Sequence, residues 1–214
     1  MKVLIACEES QTVCKAFREK GHEAYSCDIQ DCSGGHPEWH IKDDVLKIIN
    51  DDWDMMIAHP PCTYLTLAAN KYYDEKVYGE KAVKRKQDRL EAVDFFLKLW
   101  SANIPKICIE NPVGIMCNYI DKKNYQIIQP YHFGDPERKT TQLWIKNLPP
   151  LHYGHGLFYQ SEVVKPNLII YENGKTDSAW HYNTFNYPKD QRAKLRSKTF
   201  PGIAKAMAEQ WNFS

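Results

Sequence analysis

Apolar residues fall in short continuous runs separated by helical stripes. Lys2–Ala6 (KVLIA) has the length and aliphatic content of a strand. Thr12–Lys20 follows, with apolar residues at Val13, Ala16 and Phe17, and Gly21 is placed to end a helix. A second strand is predicted at Ala24–Cys27, ending at Asp28, and a third at Asp54–Ala58 (DMMIA), which runs into Pro60-Pro61. The longest helical stretch is Lys81–Trp100. Its Val83, Leu90, Val93, Leu97 and Trp100 predict one buried stripe that Lys81, Lys84, Arg85 and Arg89 avoid. Ile107–Glu110 then reads as a fourth strand. This alternation predicts an α/β fold built on a parallel, doubly wound sheet.

Two later strands are predicted at Ile127–Gln129 and Gln142–Ile145, the second stopped by Leu148-Pro149-Pro150. From Leu151 to Pro188 the regular pattern lapses. Tyr, Trp, Phe, His and Gly dominate there, and only Leu168–Tyr171 reads as a strand, so a small aromatic-rich insertion at about 151–188 is expected before a closing helix, Ile203–Trp211. No repeat breaks the chain into units. At 214 residues the expectation is a single domain over 1–214, burying roughly 70% of its unfolded surface.

Composition narrows the class. With 43% hydrophobic and 26% charged residues the chain is neither disordered nor fibrous. Its apolar runs fall far short of the ~20 residues a membrane span needs, and Met1–Lys20 lacks the layout of a signal peptide. A cytoplasmic protein is expected. Seven cysteines, an odd number without a C-x-x-C pair, read as reduced thiols. The net charge of +1 announces no polyanion partner, so phosphate contact would need local patches. Lys81–Arg89 and Lys189–Lys198 are such patches, or else solvated helix faces. Tyr153, Phe158, Tyr159, Trp180, Tyr182 and Tyr187 could stack on unpaired bases or form a local core.

Three chemically capable residues fall just past strand ends, the edge at which doubly wound sheets bind ligands. Asp28 follows the second strand, where an acidic side chain can hold ribose hydroxyls, or simply begin a turn. Cys62 follows the third, behind two stiffening prolines, as a nucleophile or a small hydrophobe. Glu110 ends the fourth and would face the same pocket. His59 beside Cys62 raises a thiol-hydrolase reading, for which the sequence offers no third, orienting residue. Cys27, Cys32, His36 and His40 have end spacings that fit zinc, but their middle spacer is much shorter than the ~12 residues of a zinc finger, so no metal is assigned.

The order first strand, Asp28, Asp44-Val45, Pro60-Pro61-Cys62, Glu110-Asn111-Pro112 and the closing Pro201–Ala208 segment resembles the cytosine-5 DNA methyltransferase family, its small, divergent, phage-type members above all. The resemblance implies a Rossmann-like S-adenosylmethionine-dependent methyltransferase fold with a reduced target-recognition lobe, DNA as partner, and the host cytoplasm as location if the chain is phage-encoded. It implies Cys62 as the attacking thiolate and Glu110 as the group that binds a flipped base. Asp28 and Asp44 would contact the cofactor's ribose and adenine, with Glu8, Ser197 and Thr199 also on the cofactor and Asn111, Arg138 and Lys139 on the substrate.

That chemistry needs these residue types. Carbon 5 of cytosine is a poor nucleophile until a thiolate adds to carbon 6, and a protonated or proton-sharing Glu110 would stabilise the charge that develops in the ring. A base in duplex DNA would have to flip out. The chain departs from the family in three places. The first loop, Ala6-Cys7-Glu8-Glu9-Ser10-Gln11, has no glycine; Glu137-Arg138-Lys139-Thr140-Thr141 replaces a Gln-x-Arg-x-Arg pattern; and Arg196-Ser197-Lys198-Thr199 lacks the usual Gly-Asn. A non-catalytic nucleic-acid binder, or a methyltransferase acting on RNA or free nucleotides, stays open.

Overall fold

A computed structural model gives the architecture; the residues described are 1–154 and 161–212. The strands are β1 (Lys2–Ala6), β2 (Glu23–Asp28), β3 (His40–Lys42), β4 (Met55–Ala58), β5 (Lys106–Asn111), β6 (Tyr125–Ile128), β7 (Thr141–Lys146), β8 (Leu168–Ile170) and β9 (Thr176–Ser178). The helices are α1 (Thr12–Glu19), α2 (Val45–Ile48), α3 (Glu75–Tyr78), α4 (Glu80–Trp100), α5 (Ala179–Asn183), α6 (Lys189–Ser197) and α7 (Pro201–Gln210). Seven strands form one sheet in the order β3-β2-β1-β4-β5-β7-β6, while β8 and β9 make a separate antiparallel pair. β3, β2, β1, β4 and β5 run parallel, and β7 is antiparallel to both β5 and β6. This is the expected Rossmann-like α/β fold, with its order reversing between β1 and β4.

The two-residue period of the central strands divides the core. Val3 and Ile5 of β1 and Met55 and Ile57 of β4 pack on one face with Phe17 of α1 and Ile203 and Met207 of α7. Leu4, Ala6, Met56 and Ala58 pack on the other with Val45 of α2, Val93, Phe96 and Leu99 of α4, and Trp144. Both faces of the central strands are covered, which is why they read as unbroken apolar runs.

The stripe expected on α4 is corrected. Val93 is buried, but Val83 and Leu90 are more than half exposed, and Ala82, Phe96 and Leu99 join Val93 instead. The cause is the segment before it. Arg85 lies over the rings of Tyr64, Tyr72 and Tyr73, Arg89 over that of Tyr73, and both donate to backbone carbonyls at Thr63 and Tyr64. The first half of α4 therefore packs on this aromatic segment rather than on the sheet, and those two arginines are engaged within the chain.

No helix among the described residues is long and apolar enough to cross a membrane. Phe158 and Tyr159 lie outside the described residues. Trp180 packs edge-on against Phe200, and Tyr153 stacks on His132; Tyr182 and Tyr187 stay exposed.

Candidate active site

The carboxyl ends of β1, β2, β4 and β5 open into a cavity of about 550 Å³, a size suited to a cofactor-sized ligand. Asp28, Cys62, Glu110, Asn111, Lys139, Ser197 and Thr199 line it, together with Glu8, Glu9 and His59. Asp28 closes β2, Cys62 follows β4 beyond Pro60-Pro61, and Glu110 and Asn111 end β5. The Cys62 loop is fastened to the loop after β5. Thr66 bridges Gly114, and Ile115 N–H donates to the Leu65 carbonyl at 2.9 Å. A β-carbon on Gly114 would lie 2.2 Å from that carbonyl oxygen, so only glycine permits the approach.

Glu110 is the centre of the site. Its Oε2 accepts from Thr199 Oγ1 at 2.8 Å and lies 3.0 Å from His59 Nδ1, while Lys139 Nζ is 3.6 Å from Oε1. Burial alone would raise this carboxyl, but the Lys139 charge and the bonds from His59 and Thr199 outweigh it and hold the group at about 2. Without a base in the site, Glu110 is therefore ionised. The Cys62 thiol is pushed up by burial, pulled back by Lys139 and raised again by Glu110, so it rests as a thiol and gains most from the Lys139 cation.

His59 was missing from the expected catalytic set. The orienting partner that a Cys62–His59 pair seemed to lack is Glu110 itself, 51 positions away in sequence. His59 Nε2, Glu9 Oε1 and both polar side-chain atoms of Asn111 are buried without a hydrogen-bond partner in the chain. Such atoms are costly unless something else meets them.

Other expected positions have different tasks. Glu8 reaches the cavity wall but gives its two oxygens to the Val13 and Cys14 N–H groups, filling the α1 N-terminus that a glycine-rich loop would leave free. Asp44 lies outside the cavity lining and caps α2, accepting from Leu46 N–H. Arg138 is also outside it. Its guanidinium donates to Thr176 Oγ1 and the Thr176 carbonyl and, with Glu137, fastens β9 and α5 to the approach to β7. Thr199 reaches the cavity with its hydroxyl committed to Glu110. Cys27, Cys32, His36 and His40 do not converge. Cys27 donates to the Asp43 carbonyl, His40 bonds Ser26 and Gln30, His36 stacks on Trp39, and no cluster among the described residues could hold a metal.

The roof of the cavity is α6, through Asp190, Ala193, Lys194, Arg196 and Ser197. None of its nine residues is buried. Lys194 reaches across to Glu9 at 3.5 Å, and Arg196 ties its far end to Thr184 Oγ1 and the His181 carbonyl.

No family model and no curated protein matches the chain. Solved structures similar to it include an E. coli prophage-encoded protein assigned as a DNA modification methyltransferase (16% identity, TM-score 0.41, covering 67% of this chain and 45% of that one). Another is the Entamoeba histolytica methyltransferase EhMeth (15% identity, TM-score 0.46, 78% and 57%). The chain spans about half the length of these structures, and the likeness is one of fold.

Proposed function

We propose that the chain, as a single domain over 1–214 with a reduced recognition lobe at about 151–188, transfers a methyl group from S-adenosylmethionine to carbon 5 of cytosine in DNA. The observation that carries this reading is the convergence of Cys62 and Glu110, from neighbouring strand ends, on one cavity that also holds Asp28. The cofactor fits the residues present. Asp28 stands at the β2 end for its ribose hydroxyls, and the free, buried Glu9 oxygen is an acceptor suited to its ammonium group, the role that Glu8 gives up to α1. Bound there, S-adenosylmethionine supplies an electrophilic methyl group. The chain's own residues do the rest: Cys62 adds to carbon 6, Lys139 stabilises its thiolate, Glu110 faces the ring edge, and the Asn111 amide offers an unmatched donor and acceptor to the base.

Trapping tests it. DNA carrying 5-fluorocytosine should remain covalently attached to the wild type in the presence of cofactor, and Cys62→Ala should abolish the adduct. An adduct that survives this substitution removes Cys62 from the nucleophile role. Calorimetry against S-adenosylmethionine separates a non-catalytic binder, and mass spectrometry of nucleosides from DNA and RNA of expressing cells separates the substrates. A thiol hydrolase is the second reading, favoured by the His59–Glu110 contact; it leaves Asp28 and Asn111 without a task and would give no base adduct.

A further inference from the structure

His59 is a partly buried titratable side chain, its Nε2 fully buried, to which the reaction above assigns no role. Its ring is fixed on one side. Nδ1 is 3.0 Å from Glu110 Oε2 and 3.3 Å from Thr199 Oγ1. Because an ionised carboxylate can only accept, Nδ1 carries the hydrogen in this contact. Groups from three segments meet the ring: Glu110 from β5, Glu8 from the loop after β1, whose carboxyl feels the His59 charge, and Thr199 from the segment before α7. Lys139 stands beyond Glu110, and Cys62 is three residues further along the same loop. The Glu110 carboxylate, 3.0 Å away, is the counter-charge for the imidazolium that the step below requires.

Addition to carbon 6 creates a demand that Glu110 cannot meet alone. As the sulfur–carbon bond forms, ring nitrogen 3 must take a proton, and a carboxylate already accepting from Lys139, His59 and Thr199 has none of its own to give. We propose that His59 is the proton source for this step, acting through Glu110 as a positioning residue that also relays. Cys62, a thiol at rest, first loses its proton to solvent, and the electron pair of the resulting thiolate makes the bond to carbon 6. The carbon 5–carbon 6 pair moves to carbon 4–carbon 5, and the carbon 4–nitrogen 3 pair takes a proton from Glu110. The His59 imidazolium replaces that proton from Nδ1. Glu110 ends ionised as it began, and the imidazole ends neutral with its hydrogen on Nε2. One negative and one positive charge are consumed together. The inference rests on the covalent Cys62 reading.

The addition can be followed without cofactor, because the adduct's carbon 5 takes up solvent hydrogen. Exchange at carbon 5 would be measured in deuterated water on mixed-sequence DNA, duplex and single-stranded. The wild-type rate should be bell-shaped in pH, rising as the Cys62 thiolate forms and falling as the proton donor is lost. His59→Asn keeps an N–H donor toward Glu110 but cannot titrate; it should slow exchange by about 10²-fold or more and lose the alkaline limb. A His59→Asn protein with wild-type rate and profile reduces His59 to a prop and overturns the proposal. So does a wild type with no alkaline limb, whether or not the variant folds. A wild type that neither exchanges carbon 5 nor forms the Cys62 adduct overturns the covalent reading and this step with it.

Discussion

The Glu110 carboxylate ties the site's chemistry to the stability of the fold. Its folded value of about 2 lies below the ordinary 4.5, so the stability it contributes is complete above the ordinary value and is lost as pH falls from there through about 2. For a side chain only 8% exposed the contribution is on the order of 3 kcal/mol. Urea unfolding at neutral pH and near pH 3 should show a drop in midpoint that is smaller in Glu110→Gln, the remainder belonging to other carboxyls held low, such as Asp177. Lys139 serves both reactive groups, so Lys139→Met should slow alkylation of Cys62 by iodoacetamide at neutral pH several-fold, read peptide by peptide. The placement of Asp28, Cys62 and Glu110 at the cavity was legible because each follows its own strand, where position alone predicts the pocket edge. The bonds of His59 and Thr199 to Glu110 were not, since that shared partner lies 51 and 89 positions away and no local pattern marks it. Asp44 and Arg138 misled for the converse reason. Both carry the right charge, which a helix cap and a hairpin tether use instead.

At the level of elements, the strands that build the site were legible because they are buried on both faces and so leave continuous apolar runs. β3, with one aliphatic residue in three, and the four-residue α2 leave no such trace. The α4 stripe misread because periodicity reports that a helix has an apolar side, while the aromatic segment at 64–73 decides what lies against it. The join between the loops after β4 and β5 rests on Gly114. Gly114→Ala forces a methyl group onto the Leu65 carbonyl, and a cost of about 1 to 3 kcal/mol is expected. Because the strain falls between the loops that carry Cys62 and follow Glu110, on the proposed reading adduct formation should slow by more than the loss of folded protein explains. Comparing the trapping rate with the thermal midpoint of the same variant checks this.

For the whole molecule, sheet order set the outcome, since reversal between β1 and β4 brings four strand ends to one opening. Alternation of elements announced such a sheet; which strands became neighbours depended on long-range pairing that no local pattern encodes. The basic surface also divides. Arg85 and Arg89 are engaged with tyrosine rings and backbone carbonyls, whereas on α6 Lys189 is exposed and partly exposed Arg192 lies over the exposed Phe185 ring. If DNA is bound there, Lys189→Ala with Arg192→Ala should weaken binding evenly across sequences and flatten its salt dependence by a slope of about 2. Arg89→Ala should instead lower the melting temperature. A lobe with few base-reading side chains agrees with a recognised context of two to four bases; bisulfite sequencing of DNA treated with the purified protein would show it.

The roof helix also sets a clock. A segment that buries none of its nine residues and crosses the opening on a lysine–carboxylate contact can lift at little cost, so its amide hydrogens should exchange with solvent well before those of α7 or the central strands. Residence time in the cavity is then governed by what the occupant itself binds rather than by the door above it. Lys194→Ala would therefore leave the wait for exit nearly unchanged, and stopped-flow release of a fluorescent occupant would measure it.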